Sequence, residues 1–230
     1  MAFIDDDSIQ VPIPHTYPVN VIVHGHSALV VGGGQVAARK ARGLRRAGAR
    51  ITLIAPEAIP ELKSDPTIAW KQRKYRSADV PGHRLVMTAT NDPAVNAKVA
   101  SDARRAGVLV NSADDPPNCD FILPALGQSG DLTVAVSTRG RSPAVATWLR
   151  KRLERELDWR YRTLLEIAAD VRTEVRHTYG TSELPGWGEG LDTAFESIAT
   201  GDTDGARSDL RRRFRLDPEA VTPRPGEVLR

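Results

Sequence analysis

The chain of 230 residues holds a single cysteine, Cys119, which excludes an internal disulfide framework and fits a reducing cytoplasm. No apolar run approaches the roughly 20 residues needed to cross a bilayer, so no membrane association is expected. The start, Met1-Ala2-Phe3-Ile4-Asp5-Asp6-Asp7, has neither a basic leading region nor a long apolar one, and it does not read as a signal peptide. His24 and His26, His83 and Cys119 lack the paired spacing of a zinc site and read as turn residues plus one buried thiol. No internal repeat is present. The apolar and charged fractions, 40% and 27%, are those of an ordinary soluble globular chain. Its length allows one large domain, or a domain with a smaller module, around a real core.

The formal charge is only +3, yet arginine is clustered. Arg42, Arg45, Arg46 and Arg50 form one group, Arg150 to Arg160 another, and Arg211 to Arg215 a third. Such groups fit nucleic acid, a solvated basic face, or a polyanionic small substrate. The motifs described next favour the last, and no nucleic-acid partner is expected.

Gly32-Gly33-Gly34-Gln35-Val36-Ala37 follows directly on the apolar run Ser27-Ala28-Leu29-Val30-Val31. This is the G-x-G-x-x-A form of the dinucleotide fingerprint, set between a strand and a helix. Gly32 allows the tight turn, Gly34 lets backbone approach a pyrophosphate, and Ala37 lets helix and strand pack closely. The amides of the first turn, from Gln35 and Val36 onward, and the helix dipole then hold phosphate. The acid that usually binds a ribose hydroxyl is missing from the tip of the second strand, Ile54-Ala55-Pro56-Glu57. Glu57 reads first as a surface residue of a turn. No arginine stands there either, which leans toward NAD over NADP.

The rest of the first half alternates between strand and helix patterns, implying a parallel sheet with helices on both faces. Val19 to Val23 and Ser27 to Val31 read as strands, Gln35 to Ala47 as a helix capped by Gly48, and Arg50 to Ile54 as a strand. Thr67 to Tyr75 and His83 to Thr88 are further strands. A helix runs from Asn91-Asp92-Pro93 to about Ala106, and Val108 to Asn111 is a fifth strand. After Asp114-Asp115-Pro116-Pro117 the rhythm changes. Phe121 to Ala125 is short and extended, Asp131 to Ser137 is a strand, and Ser142-Pro143 opens a long helix through Leu157. The chain then reads as helical to about Arg213, with Trp148, Trp159, Trp187 and Tyr161 packing that module. A loose tail with Pro218, Pro223 and Pro225 follows. The fold class is therefore α/β, a Rossmann-like parallel sheet with a linking segment and a small helical module. Its expected parts are residues 1–112, 113–149 and 150–230.

Three places carry candidate chemistry. Thr90-Asn91-Asp92 follows the fourth strand at the carboxyl edge of the sheet, where ligands bind in such folds. Thr88 and Thr90 can face a cofactor there, and Asp92 before Pro93 reads as a helix N-cap. Asn111-Ser112-Ala113-Asp114-Asp115 follows the fifth strand at the same edge. Its two adjacent carboxylates suit proton abstraction or a divalent cation as well as a plain polar turn, and only one of them faces the site. Ser137-Thr138-Arg139-Gly140-Arg141-Ser142 runs into a helix N-terminus, where amides, hydroxyls and arginines suit carboxylate or phosphate groups.

The order of these motifs resembles the precorrin-2 dehydrogenase family, the N-terminal part of siroheme synthase. The resemblance rests on Val30 to Ala41, Thr88-Ala89-Thr90-Asn91-Asp92, Asn111-Ser112-Ala113-Asp114, Phe121-Ile122-Leu123-Pro124-Ala125 and Val136-Ser137-Thr138, and it covers roughly Tyr17 to Leu157. It implies NAD-dependent removal of hydrogen from precorrin-2 to give sirohydrochlorin, and in some members insertion of ferrous iron as a second substrate. It implies a homodimer intertwined through the segment after Pro117. Asp114 falls on the family's essential carboxylate, as general base or as a metal contact during chelation. Gly32, Gly34, Gln35, Val36, Ala37, Thr90 and Asn91 would hold the cofactor. Asn111, Ser137, Thr138, Arg141 and Ser142 would hold the tetrapyrrole. Arg139 stands where the family usually has glycine, Ser112-Ala113 replaces a more apolar pair, and the chain after about Trp159 matches weakly. The rival readings are a chelatase alone, an enzyme of a modified tetrapyrrole, and a non-catalytic NAD-sensing module.

Overall fold

The computed structural model describes residues 16–216, so the acidic start and the proline-bearing tail lie outside the described residues. The chain folds into two compact units. One runs through Leu123 and includes Thr138–Ser142; the other comprises Pro124–Ser137 and the chain from Pro143 onward.

In the first unit five parallel strands lie in the order β3-β2-β1-β4-β5. They are β1 (Ser27–Val31), β2 (Arg50–Ile54), β3 (Ile68–Lys71), β4 (Leu85–Thr88) and β5 (Leu109–Ser112). Parallel pairing needs crossover connections, and α1 (Gln35–Arg46) and α3 (Pro93–Arg105) supply two of them; α2 is the short Pro60–Lys63. Alternate side chains of β1 feed opposite faces of the sheet. Ala28 and Val30 pack with Ala37, Ala38, Ala41 and Leu44 of α1. Leu29 and Val31 pack with Val99, Ala100 and Ala103 of α3 and with Val86 and Val110. The register sets Val31 beside Ile54 and Thr88, and Thr88 beside Ser112. The ladder continues one step past the strand ends, through Gly32 N–H to Ile54 C=O at 3.0 Å and Ala113 N–H to Thr88 C=O at 2.9 Å. The loops after β1, β4 and β5 therefore leave from one edge. Between β1 and β4 the order of the strands reverses, which is where this architecture opens a ligand crevice.

Val19 to Val23 is not a strand. Val23 is buried, but Val19 and Ile22 are 65% and 75% exposed. The segment pairs with no strand and instead docks at its end, through Gly25 N–H to Gly48 C=O at 2.9 Å.

In the second unit β6 (Ala125–Ser129) and β7 (Leu132–Val136) form an antiparallel hairpin. Its turn is Gly130-Asp131, with Gly130 at φ 59°, the conformation a two-residue hairpin loop demands. The sequence marks β7 but not β6: Ala-Leu-Gly-Gln-Ser has low strand propensity, and pairing with β7 makes the strand. α4 (Pro143–Glu156) begins at Pro143 as expected. Helices α5 (Trp159–Tyr179), α6 (Trp187–Ala199) and α7 (Thr203–Arg213) enclose their own core. Ile167, Val171 and Val175, one turn apart, meet Ala194, Ile198, Ala206, Leu210 and Phe214. Trp187 stacks on Phe214 and Tyr161 on Phe195, at 4.5 and 4.7 Å between ring centres. Trp148 and Trp159, by contrast, are on the surface, 60% and 47% exposed. Trp148 sits two residues from Ala146, the buried residue of α4, and so points away from it. Trp159 opens α5 about two turns before its first buried residue, Ile167. The arginines of α7 tie helices together: Arg207 pairs with Asp170, Arg211 with Glu174, and Arg213 with Glu189.

Candidate active site

The turn after β1 is shaped by what its glycines cannot carry. Gly32 has φ 117°, and a Cβ there would stand 2.3 Å from the Ala89 carbonyl oxygen. At Gly33 a Cβ would fall 1.9 Å from the Glu57 carbonyl oxygen, and the Gly33 carbonyl accepts Ile59 N–H at 2.9 Å. The loop after β2 is thus stapled to the glycine turn, a constraint the fingerprint does not advertise. Gly34 is different, because a Cβ there would meet nothing within 4 Å. Its lack of a side chain leaves space outside the protein rather than room within it. Gly34 is the N-cap of α1, no side chain caps it, and the first turn carries no acid. The positive end of the dipole and the first amides of Gln35, Val36 and Ala37 are left for an anion. This is a fit for a dinucleotide pyrophosphate. Ala37 is fully buried against β1.

The loop after β4 is held by a residue that sequence reading passed over. Asn96, buried on α3, accepts through Oδ1 from the hydroxyls of Thr88 at 2.6 Å and Thr90 at 2.8 Å. Its Nδ2 donates to the Thr90 carbonyl at 3.0 Å. Thr88 is fully buried and its hydroxyl is spent on Asn96, so it faces no cofactor. The Thr90 hydroxyl serves the loop as well, while Asn91 is exposed at the same edge. Asp92 caps α3 as expected, accepting Ala94 N–H at 2.9 Å. An asparagine one turn into a helix carries no signal of this role in its spacing.

The loop after β5 separates the two carboxylates. Asp115 is committed to the turn: its Oδ2 accepts from Ser112 Oγ at 3.1 Å and Asn118 Nδ2 at 2.8 Å. Asp114 is exposed and sits at φ 56°, a left-handed conformation costing a non-glycine residue about 1–2 kcal/mol. Beneath it lies a polar cluster. Asn111 is buried; its Oδ1 accepts from Lys40 Nζ, and its Nδ2 donates to the Phe121 carbonyl at 2.9 Å. The Cys119 thiol accepts Ser112 N–H at 3.2 Å and donates to the Ser112 carbonyl at 3.1 Å. Burial pushes this thiol up from its ordinary value, against the pull of the Lys40 charge. Burial likewise pulls Lys40 down, though Cys119 and Asp114 act the other way.

Thr138–Ser142 belongs to the same compact unit as the glycine turn. The Thr138 hydroxyl accepts Ser142 N–H at 3.1 Å, and Arg141 N–H reaches the Thr138 carbonyl at 3.0 Å. Arg139 and Gly140 both have positive φ, 50° and 76°. The site of Arg139 is thus one where glycine is conformationally favoured. Ser137 and Arg141 are exposed. Among the described residues no group of three or more His, Cys, Asp or Glu side chains is gathered to hold a metal ion. Among them, too, no helix is long and apolar enough to cross a membrane.

These features agree with what the chain is similar to. A family model described as putative NAD(P)-binding matches residues 19–125, and the sirohaem biosynthesis protein central model matches residues 129–156. The siroheme synthase of Methylococcus capsulatus is 44% identical over 162 residues, covering 69% of this chain and 34% of that protein. That of Nitrosospira multiformis is 33% identical over 221 residues, covering 92% of this chain and 46% of that protein. The chain therefore spans less than half the length of these curated relatives. The solved structure of SirC, precorrin-2 dehydrogenase, superposes with a TM-score of 0.61 at 24% identity, over 88% of this chain and all of that one, and so shares the fold. With the glycine turn, the Asp114 loop and the hairpin-plus-helix segment falling in that order, the chain belongs to the family formed by the NAD(P)-binding and central parts of siroheme synthase.

Proposed function

We propose that this protein is a cytoplasmic, NAD-dependent precorrin-2 dehydrogenase that yields sirohydrochlorin in siroheme biosynthesis. The observation that carries the reading is the division of labour between the two carboxylates after β5. Asp115 is consumed by hydrogen bonds within the turn. Asp114 is presented outward, at the sheet edge that also bears the glycine turn.

Gly32, Gly34, Gln35, Val36 and Ala37 hold the pyrophosphate, with Thr90 and Asn91 shaping the neighbouring wall. When bound, NAD supplies a two-electron acceptor that takes a hydride from the substrate. The Asp114 carboxylate accepts the proton that leaves with it and passes it to solvent. Asn111, Ser137, Thr138, Arg141 and Ser142 are the residues proposed to orient the substrate carboxylates; the inward-turned amide of Asn111 does this by fixing the loop. The protein acts as a homodimer, supported by apolar side chains exposed in the second unit, Leu126, Val145 and Trp148. Light scattering at micromolar concentration measures the expected twofold mass.

The test is anaerobic turnover of precorrin-2 followed by sirohydrochlorin absorbance, with and without NAD. NAD-dependent product supports the dehydrogenase. NAD binding without turnover overturns it in favour of a sensor. Ferrous iron, offered with sirohydrochlorin and no NAD, then tests chelation as a second activity with iron as substrate.

A further inference from the structure

The buried face of α1 has one residue that does not belong to a hydrophobic stripe. Ala37, Ala38, Ala41 and Leu44 cover the sheet, and Lys40 lies among them, 9% exposed. Placing an ammonium group there is costly unless it is paired, and a leucine or methionine would fill the same space without that cost. Its ammonium group meets Asn111 on β5, the strand beyond β4 from β1.

Asn111 is a junction. Its Oδ1 is held by Lys40, which fixes which way round the amide sits, and Nδ2 then faces the Phe121 carbonyl at 2.9 Å and the Cys119 sulfur at 3.7 Å. Cys119 closes on Ser112 from the other side, at 3.1 and 3.2 Å. The ends of the loop from Ser112 to Phe121 are thereby drawn onto β5. A positive φ at an aspartate persists only where the surroundings over-determine it. This cluster holds the loop bearing Asp114 together with the bonds of Asp115 inside the loop and of Asp120 to Val110.

We propose that Lys40 is a positioning residue: through Asn111 and Cys119 it anchors the loop that presents Asp114 to the substrate. For its catalytic consequence, the proposal rests on the reading of Asp114 given above.

The chain has one cysteine, so the anchor can be read without turnover, by the rate at which a disulfide reagent such as Ellman's reagent labels Cys119 in the native protein. Wild type should label at least tenfold slower than the same protein in urea. Lys40→Met keeps the length of the stem and removes the donor; it should label at least tenfold faster than wild type. With precorrin-2 it should lose about a hundredfold in kcat while the KM for NAD stays within twofold, because the glycine turn is untouched. A merely structural lysine would leave labelling and the kcat-to-KM split unmoved, and native labelling at the wild-type rate with kcat within twofold overturns the proposal. If Lys40→Met does not melt cooperatively, Lys40→Gln, which keeps a donor on a shorter stem, replaces it. An intermediate labelling rate supports the anchor and a wild-type rate overturns it. Should neither variant fold, wild-type Cys119 labelling at the urea rate overturns the anchor, and protected labelling supports it. If wild type itself fails to turn over precorrin-2, the assigned reaction falls, and the labelling rates still decide the anchor.

Discussion

At Asp114 the backbone adopts φ 56°, a conformation that asparagine tolerates as well as aspartate does. Asp114→Asn should therefore keep the loop and lose the proton acceptor. We predict kcat for precorrin-2 oxidation lower by about 10²–10⁴-fold, with the melting temperature unchanged within the error of a thermal scan. A parallel fall in stability would show that the side chain serves the fold. The glycines make a sharper pair. Gly34→Ala adds a methyl that meets no protein atom within 4 Å, at a backbone φ of −87°. Its cost to stability should stay near the ~1 kcal/mol of an N-cap alanine, while calorimetric NAD affinity drops at least about tenfold, or ~1.4 kcal/mol. Gly33→Ala must push the Glu57 carbonyl away from 1.9 Å. It should lose about 1–3 kcal/mol of stability as well as NAD affinity. Equal melting temperatures for the two variants would contradict this account.

Between elements, the Asp102 network joins α3 to the chain after β3. Asp102 is buried and accepts from Tyr75 Oη at 2.8 Å, with Lys98 at 3.3 Å and Arg105 alongside. Burial alone would raise its carboxyl, but hydrogen bonds from Tyr75, Ser77 and Lys98 outweigh that and hold it below the usual range. The same burial, with the Asp102 hydrogen bond, pushes the Tyr75 hydroxyl upward. Lys98 and Arg105 are mostly exposed, so solvent screens their share of that pull. A depressed carboxyl stabilises the fold above its unfolded value of about 3.9 and stops doing so as pH falls through the lower folded value. Asp102→Ala should cost about 1–3 kcal/mol near neutral pH, because it leaves the part-buried Tyr75 hydroxyl without its acceptor. In urea titrations from neutral to acid pH, the variant should also show a shallower loss of stability below about pH 4 than wild type. An unchanged acid slope would assign the weight to other groups.

At the scale of the molecule, the helical core and the nucleotide turn belong to different compact units. Leu210 is fully buried among α5, α6 and α7. Leu210→Ala should cost about 2–5 kcal/mol in the unfolding of that unit and leave NAD affinity within twofold. A matching loss of NAD binding would mean that the helices support the turn. The arginine groups also resolve at this scale. Arg207, Arg211 and Arg213 pair across helices, and Arg42 pairs with Glu61, so these are parts of the fold's own surface. In the third group, Arg212 pairs three residues back with Asp209, but the partners of Arg211 and Arg213 lie 37 and 24 residues away in the chain, so a run of arginines carries no sign of them.

What the sequence determined by itself is local and periodic. Strand, glycine turn and helix follow one another within about twenty residues, so β1, α1 and β2 could be read at their observed places, as could the Asp92 cap before Pro93 and the start of α4 at Pro143. Alternation between strand and helix implied the parallel sheet, because parallel neighbours need a crossover. Tertiary structure decided what depends on partners distant in the chain. Val19 to Val23 has the composition of a strand but finds no sheet edge; Ala125 to Ser129 lacks that composition and becomes a strand because β7 lies beside it. It also decided which of two adjacent aspartates is taken up by the turn, since the hydrogen bonds that occupy Asp115 exist only once the loop has closed. Lys40 and Gly33 owe their roles to contacts with Asn111 and Glu57, brought near by the winding of the sheet, whereas Asn96 acts locally, on Thr90 six residues before it.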